Sequence, residues 1–119
     1  MPRILIVDDN PSNTFVFSSL LEDEGFDVDL AANGHEALVR IGEQTPDVVL
    51  TDLQMPEMDG NELCRRLAGE PSTSELPVIV ITAFGDAPAA TEAHARQIIS
   101  KPVSSETLLE AIRTHGGLA

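Results

Sequence analysis

The sequence predicts an α/β fold, a doubly wound five-stranded parallel sheet with helices on both faces. Three observations predict it. Short runs of consecutive apolar residues recur at 4–7, 48–50 and 78–81, as strands buried on both faces of a sheet require. Segments with helical periodicity lie between the strands, opened by capping residues and closed by glycine. The alternation of strand and helix repeats five times, and parallel strands need such crossovers, whose right-handed winding covers both faces.

The first strand spans 4–7. Asn10 can cap the helix that follows and Pro11 suits its first position, so that helix runs to about residue 24 and stops at Gly25. The second strand spans 26–31. Asn33-Gly34 reads as a turn before a helix through Ala37, Leu38 and Ile41. The third strand ends at Thr51, and a loop from Asp52 to Met58 leads into a helix over about 60–68. The fourth strand spans 78–81, and a weak helix interrupted by Gly85 and Pro88 follows it. A short fifth strand covers 97–100. The last helix starts after Ser104 and ends near His115, before Gly116-Gly117. No repeat or linker divides residues 1–119, which are expected to form a single domain.

With 7 Lys+Arg against 20 Asp+Glu, the net charge of −13 disfavours direct nucleic-acid binding and suits hard cations and basic partners. Cys64 is the only cysteine and falls within a predicted helix, so an inert thiol in a reducing, cytoplasmic setting is expected. No apolar stretch is long enough for membrane insertion.

In open α/β sheets, functional residues gather at the carboxyl ends of the strands. Asp8 and Asp9 follow the first strand, Asp52 the third, Thr82 the fourth and Lys101 the fifth. Three carboxylates converging there would repel one another unless a cation neutralised them. Oxygen-only ligands point to Mg²⁺ or a similar hard ion, and Lys101 is suited to bind phosphate as a point charge. His35, His94 and His115 lack metal-ligand spacing.

The runs ILIVDDN, DVVLTDLQMPEMDG, PVIVITA and SKP, in this order over nearly the whole chain, resemble the signature segments of response-regulator receiver domains, whose fold is flavodoxin-like. The resemblance implies that Asp52 accepts a phosphoryl group from a histidine kinase, a phosphotransfer protein or a small phosphodonor. It implies that Asp9, Asp52 and the backbone carbonyl of Gln54 hold Mg²⁺, with Asp8 acting through water. Thr82 and Lys101 would contact the phosphoryl oxygens, and a cis bond before Pro102 would aim Lys101 inward. Such a domain supports its own phosphorylation and dephosphorylation without being an enzyme of turnover.

Ile98, His94 and Phe84 depart from the family pattern. Ile98 stands where relatives carry an inward-swinging Tyr or Phe, so readout through residues 82–88 and the weak helix after them is expected. The first helix docks on the kinase in this family. At about 100° per residue, Phe17, Leu20 and Leu21 share its core face with Asn13. Phe15 points away, as a candidate contact.

Two other functions compete. A phosphorylation-independent receiver-like binding module would typically lose an acidic residue or the lysine, and this chain keeps them all. A Mg²⁺-dependent phosphatase of the haloacid-dehalogenase type would carry an acid/base Asp two positions after the nucleophile, where this chain has Gln54.

Overall fold

In a computed structural model, which describes residues 2–53, 58, 60–82, 95–100 and 103–115, the chain forms β1 (Arg3–Val7), α1 (Pro11–Asp23), β2 (Asp27–Ala31), α2 (Gly34–Glu43) and β3 (Val48–Asp52). It continues as α3 (Gly60–Ala68), β4 (Val78–Thr82), β5 (Gln97–Ser100) and α4 (Ser105–His115). The helix expected between β4 and β5 lies outside the described residues, as do Gln54, Phe84, Lys101 and Pro102.

All four strand pairings are parallel, in the order β2-β1-β3-β4-β5. The chain therefore winds outward from β1 in one direction and from β3 in the other, which puts the topological switch between these two strands. Because successive strand side chains alternate between faces, the apolar runs feed two cores. Leu5, Val7, Val49 and Val80 pack with Ala37 and Ile41 of α2 and with Leu63, Cys64 and Leu67 of α3. Ile4, Ile6, Leu50, Ile79 and Ile81 pack with Leu21 of α1 and with Leu108 and Ile112 of α4. Each Val, Leu or Ile among them contributes about 1.5–3 kcal/mol when fully buried.

The helix signals place most boundaries. The Asn10 side chain accepts hydrogen bonds from the backbone N–H groups of Ser12 (2.9 Å) and Asn13 (3.3 Å), with Pro11 opening α1. Gly25 follows the helix at φ 92°, in the left-handed region that favours glycine. Ser104 Oγ accepts from Thr107 N at 3.1 Å, ahead of α4. Phe17 and Leu20 pack on the core beside Leu21, while Phe15 is 71% exposed and Val16 60%.

Three expectations need correction. Asn33-Gly34 is not a free turn: Asn33 caps α2, its side chain accepting from Glu36 N at 2.8 Å, and Gly34 is the helix's first residue. A Cβ at Gly34 would meet the buried Met58 side chain at 2.7 Å, so Gly lets α2 approach the segment after β3. Two strand ends also move: Asp52 is the last residue of β3 rather than the first of a loop, paired in register with Ile81 of β4, and Thr82 is the last residue of β4 rather than the residue after it, paired with Ser100 of β5.

On the exposed side of α3, Glu62 accepts hydrogen bonds from Arg65 Nε at 2.9 Å and Arg66 Nε at 3.1 Å, and it forms a second contact with the Arg65 guanidinium. These bonds, that from Arg65 first, lower its pKa from 4.5 to about 2. Glu62 thus ionises at lower pH in the fold than in the unfolded chain. Its contribution to stability is complete above about pH 4.5 and is lost as pH falls through about 2. The stability gap between wild type and Glu62→Gln should narrow over that window in urea titrations, from a small starting value because the pair is solvent-exposed.

Candidate functional site

The carboxyl ends of β1 and β3 sit side by side because Val7 pairs with Thr51. Asp8 leaves β1 directly after Val7, and Asp52 is the residue after Thr51. Asp8, Asp9 and Asp52 consequently converge, each offering a carboxylate oxygen within 4.8 Å of the others. Asp8 is buried, Asp52 half-buried and Asp9 exposed. The cluster therefore grades from the sheet edge out to solvent.

Backbone bonds fix the two strand ends. Asp8 N donates to Ala31 O of β2 at 3.1 Å. Just past Asp52, Leu53 N donates to Ile81 O of β4 at 3.0 Å, and Gly60 N donates to Leu53 O at 2.8 Å. The buried Thr51 hydroxyl donates to the Asp52 carbonyl at 3.0 Å. Asp52 is thereby held from both sides of its own backbone. α3 starts hard against it: a Cβ on Gly60 would lie 2.5 Å from Asp52 O and 3.0 Å from Leu53 Cα.

Asp8 is oriented by α1. Its Oδ1 accepts from Asn10 N at 2.9 Å and its Oδ2 from Asn13 Nδ2 at 3.2 Å. A recess of about 270 Å³, lined by Asp8, Asp9, Pro11, Thr14, Ala31 and Arg40 among others, opens beside the cluster. A larger groove of about 710 Å³ opens between the carboxyl-terminal ends of α2 and α3, lined by residues such as Ile41 and Leu67. That groove lies remote from the acidic strand ends and holds none of the candidate residues.

Thr82, buried at the end of β4, pairs in register with Ser100, the last residue of β5. Lys101 follows Ser100 in sequence and lies outside the described residues, with Gln54, Phe84 and Pro102. Ile98 sits on β5 opposite Val80, half-buried against the core on the α2–α3 face. Phe15 and Val16 stand on the exposed side of α1, next along the helix from the turn that orients Asp8. Sequence reasoning placed Asn13 on the core face but missed its bond to Asp8. The signal available was its position three residues after the capping Asn10.

Three clustered carboxylates form an oxygen-only donor set, the chemistry of a hard divalent cation. They suit Mg²⁺, since Mg²⁺ is characteristically held by one or two carboxylates and completed by water. Among the described residues, no helix is long and apolar enough to cross a membrane.

Comparison with known proteins gives the site a setting. The sequence model described as "Response regulator receiver domain" matches residues 4–113. PilH of Pseudomonas aeruginosa is 38% identical over 115 residues, covering 94% of this chain and 95% of that protein. The response regulator PleD of Caulobacter vibrioides is 36% identical over 94% of this chain, which spans only 25% of PleD. Among solved structures, a putative response regulator from Chloroflexus aurantiacus superposes with a TM-score of 0.92 at 34% identity, covering 98% of this chain and 99% of that one. The receiver domain of the sensor histidine kinase PA1611 from Pseudomonas aeruginosa, solved with a magnesium ion coordinated in its active-site cleft, gives 0.90 at 27% identity, covering 98% of each chain.

The close approach of α3 to β3 makes Gly60 sensitive. Gly60→Ala should destabilise the protein by about 1–3 kcal/mol, as overpacking against immovable backbone does. Denaturant titration measures this, and unchanged stability would mean that α3 can retreat from Asp52.

Proposed function

The chain belongs to the response regulator receiver domain family, and from that premise we propose that Asp52 is its phosphoacceptor. Phosphorylation-based signalling is the typical function of such domains, and the acidic cluster fits their phosphoacceptor site. The observation that carries the reading is the convergence of Asp8, Asp9 and Asp52 within 4.8 Å at the carboxyl edge of the sheet. In this reading residues 1–119 act as one receiver domain, in the cytoplasm, as a phosphoacceptor rather than a turnover enzyme.

Asp9 and Asp52, with the Gln54 carbonyl, would hold Mg²⁺ directly, and Asp8 would act through water. Once bound, the cation supplies positive charge to the transferring phosphoryl oxygens. The chain's own residues do the rest. Asp52 presents a carboxylate oxygen in line with the phosphorus, held by the backbone bonds on either side of it. Such positioning can supply much of the rate. The donor's bond to phosphorus breaks as the bond to Asp52 forms, giving an acyl phosphate. Thr82 donates its hydroxyl proton toward a phosphoryl oxygen, and Lys101 balances the added charge.

Receiver domains of response regulators interact with histidine kinases. For this chain the partner is a histidine kinase or a phosphotransfer protein that docks on α1. Phe15, beside the acidic site, is the contact residue. Two supports are its 71% exposure and the absence of other large apolar side chains on that helix's outer side except Val16.

Mg²⁺ should stabilise the wild type by mass action, by about 2.7 kcal/mol at a concentration 100 times its Kd. Asp9→Ala should remove that gain. A melting temperature indifferent to Mg²⁺ would exclude the site. Acetyl phosphate with Mg²⁺ should label the wild type and leave Asp52→Asn unlabelled; equal labelling would exclude Asp52 as acceptor.

Phe15→Ala should slow transfer from the partner kinase about fivefold, the equivalent of one anchoring contact of about 1 kcal/mol. It should leave acetyl phosphate labelling unchanged. Equal kinase rates in both proteins would remove Phe15 from the interface.

A further inference from the structure

We infer that Asn13 is a positioning residue of the acidic site, one that sets the affinity of the site for its divalent cation and ties that site to α1. The inference rests on the functional reading above.

Asp8 is only 5% exposed and stands among like charges. A carboxylate in that place keeps one orientation only if donors specify it. Two donors come from the first turn of α1. Asn10 N donates to Oδ1 at 2.9 Å, and Asn13 Nδ2 donates to Oδ2 at 3.2 Å. Asn13 is itself placed by its backbone N–H, which donates to Asn10 Oδ1 at 3.3 Å. Asp8, Asn10 and Asn13 thus close a ring of hydrogen bonds between the end of β1 and the start of α1.

The amide is the right chemistry for this task. A lysine or arginine at residue 13 would orient Asp8 too, but its full charge would compete with a metal cation. A neutral amide fixes the carboxylate plane and leaves the negative charge of the cluster available. Helix propensity gives no reason for Asn there, since Leu is the better helix former. Removing a partner of a metal-ligating group typically weakens metal binding by about 10–100-fold, and Asn13, which acts on a carboxylate that reaches the cation through water, belongs at the lower end of that range. Binding is reciprocal, so a cation that favours the fixed Asp8 must also favour the ordered first turn of α1.

The test compares full-length wild type, Asn13→Leu and the same-turn control Ser12→Ala. Mg²⁺ titration by calorimetry should give Asn13→Leu a Kd about 10-fold weaker, with Ser12→Ala unchanged. Phosphorylation by acetyl phosphate should need correspondingly more Mg²⁺ in Asn13→Leu, yet reach the wild-type maximal rate at saturation. In the wild type, Mg²⁺ should slow amide hydrogen exchange at residues 13–15, and in Asn13→Leu this protection should be lost. A purely structural Asn13 would lower the metal-free melting temperature and leave Mg²⁺ affinity alone, and that result overturns the inference. If Asn13→Leu does not fold, Asn13→Ser, too short to reach Asp8, is read against the same outcomes. Equal Kd in wild type and variant overturns this inference alone. Absence of Mg²⁺ binding by the wild type overturns both it and the functional reading.

Discussion

Mutual repulsion among Asp8, Asp9 and Asp52 is the constraint around which the molecule is arranged. Their oxygens lie within 4.8 Å, a separation at which two unit charges near a protein surface cost about 3–4 kcal/mol. The repulsion is borne by two buried cores and a fixed register. Val7 opposite Thr51 places Asp8 and Asp52 together. A slip of one residue would carry Asp8 into the place of Val7 between the two cores, where a carboxylate is costly to bury. Ile4, Leu5, Ile6 and Val7 are all buried, so the apolar content of the strand forbids that slip.

Most of the positive charge described is committed elsewhere. Arg40 pairs with Asp29 and Glu36, Arg65 and Arg66 with Glu62, Arg96 with Glu75 and Arg113 with Glu24. These pairs lie on the surface and contribute little to stability. Their effect is on distribution: they neutralise parts of a chain of net charge −13, while the carboxylates of Asp8, Asp9 and Asp52 cluster at the sheet edge.

The strands were legible because burial on both faces leaves a short apolar run that a half-exposed element would not show, as in Val78–Thr82. The core face of α1 was legible from its period, and Asn10, Gly25 and Ser104 marked helix ends by their local chemistry. Asn33-Gly34 misled because the same dipeptide serves a tight turn and a helix cap. What decides between them is Met58, distant in sequence, filling the space that a side chain at residue 34 would need. β3 runs one residue past its expected end at Thr51, to Asp52, because a strand end is set by pairing, here with Ile81, which the local sequence does not carry. The strand-end positions of Asp8, Asp52 and Thr82 were visible from order alone. The bond from Asn13 to Asp8 was not, since it depends on the angle at which α1 leaves the sheet.

That angle matters because one short helix serves two purposes. Its first turn orients Asp8, and its outer side carries Phe15 and Val16, 71% and 60% exposed. Only Thr14 separates Asn13 from Phe15. A change in the order of the first turn therefore reaches the exposed apolar pair without passing through the sheet. Ile98, by contrast, is half-buried against the α2–α3 core, and as a β-branched side chain it is restricted at its first torsion. A partner that touches α1 meets the surface closest, along the chain, to the charge state of the acidic cluster. The physical economy of the site lies in this adjacency: the group that fixes a carboxylate and the surface that a partner can touch belong to the same two turns of helix.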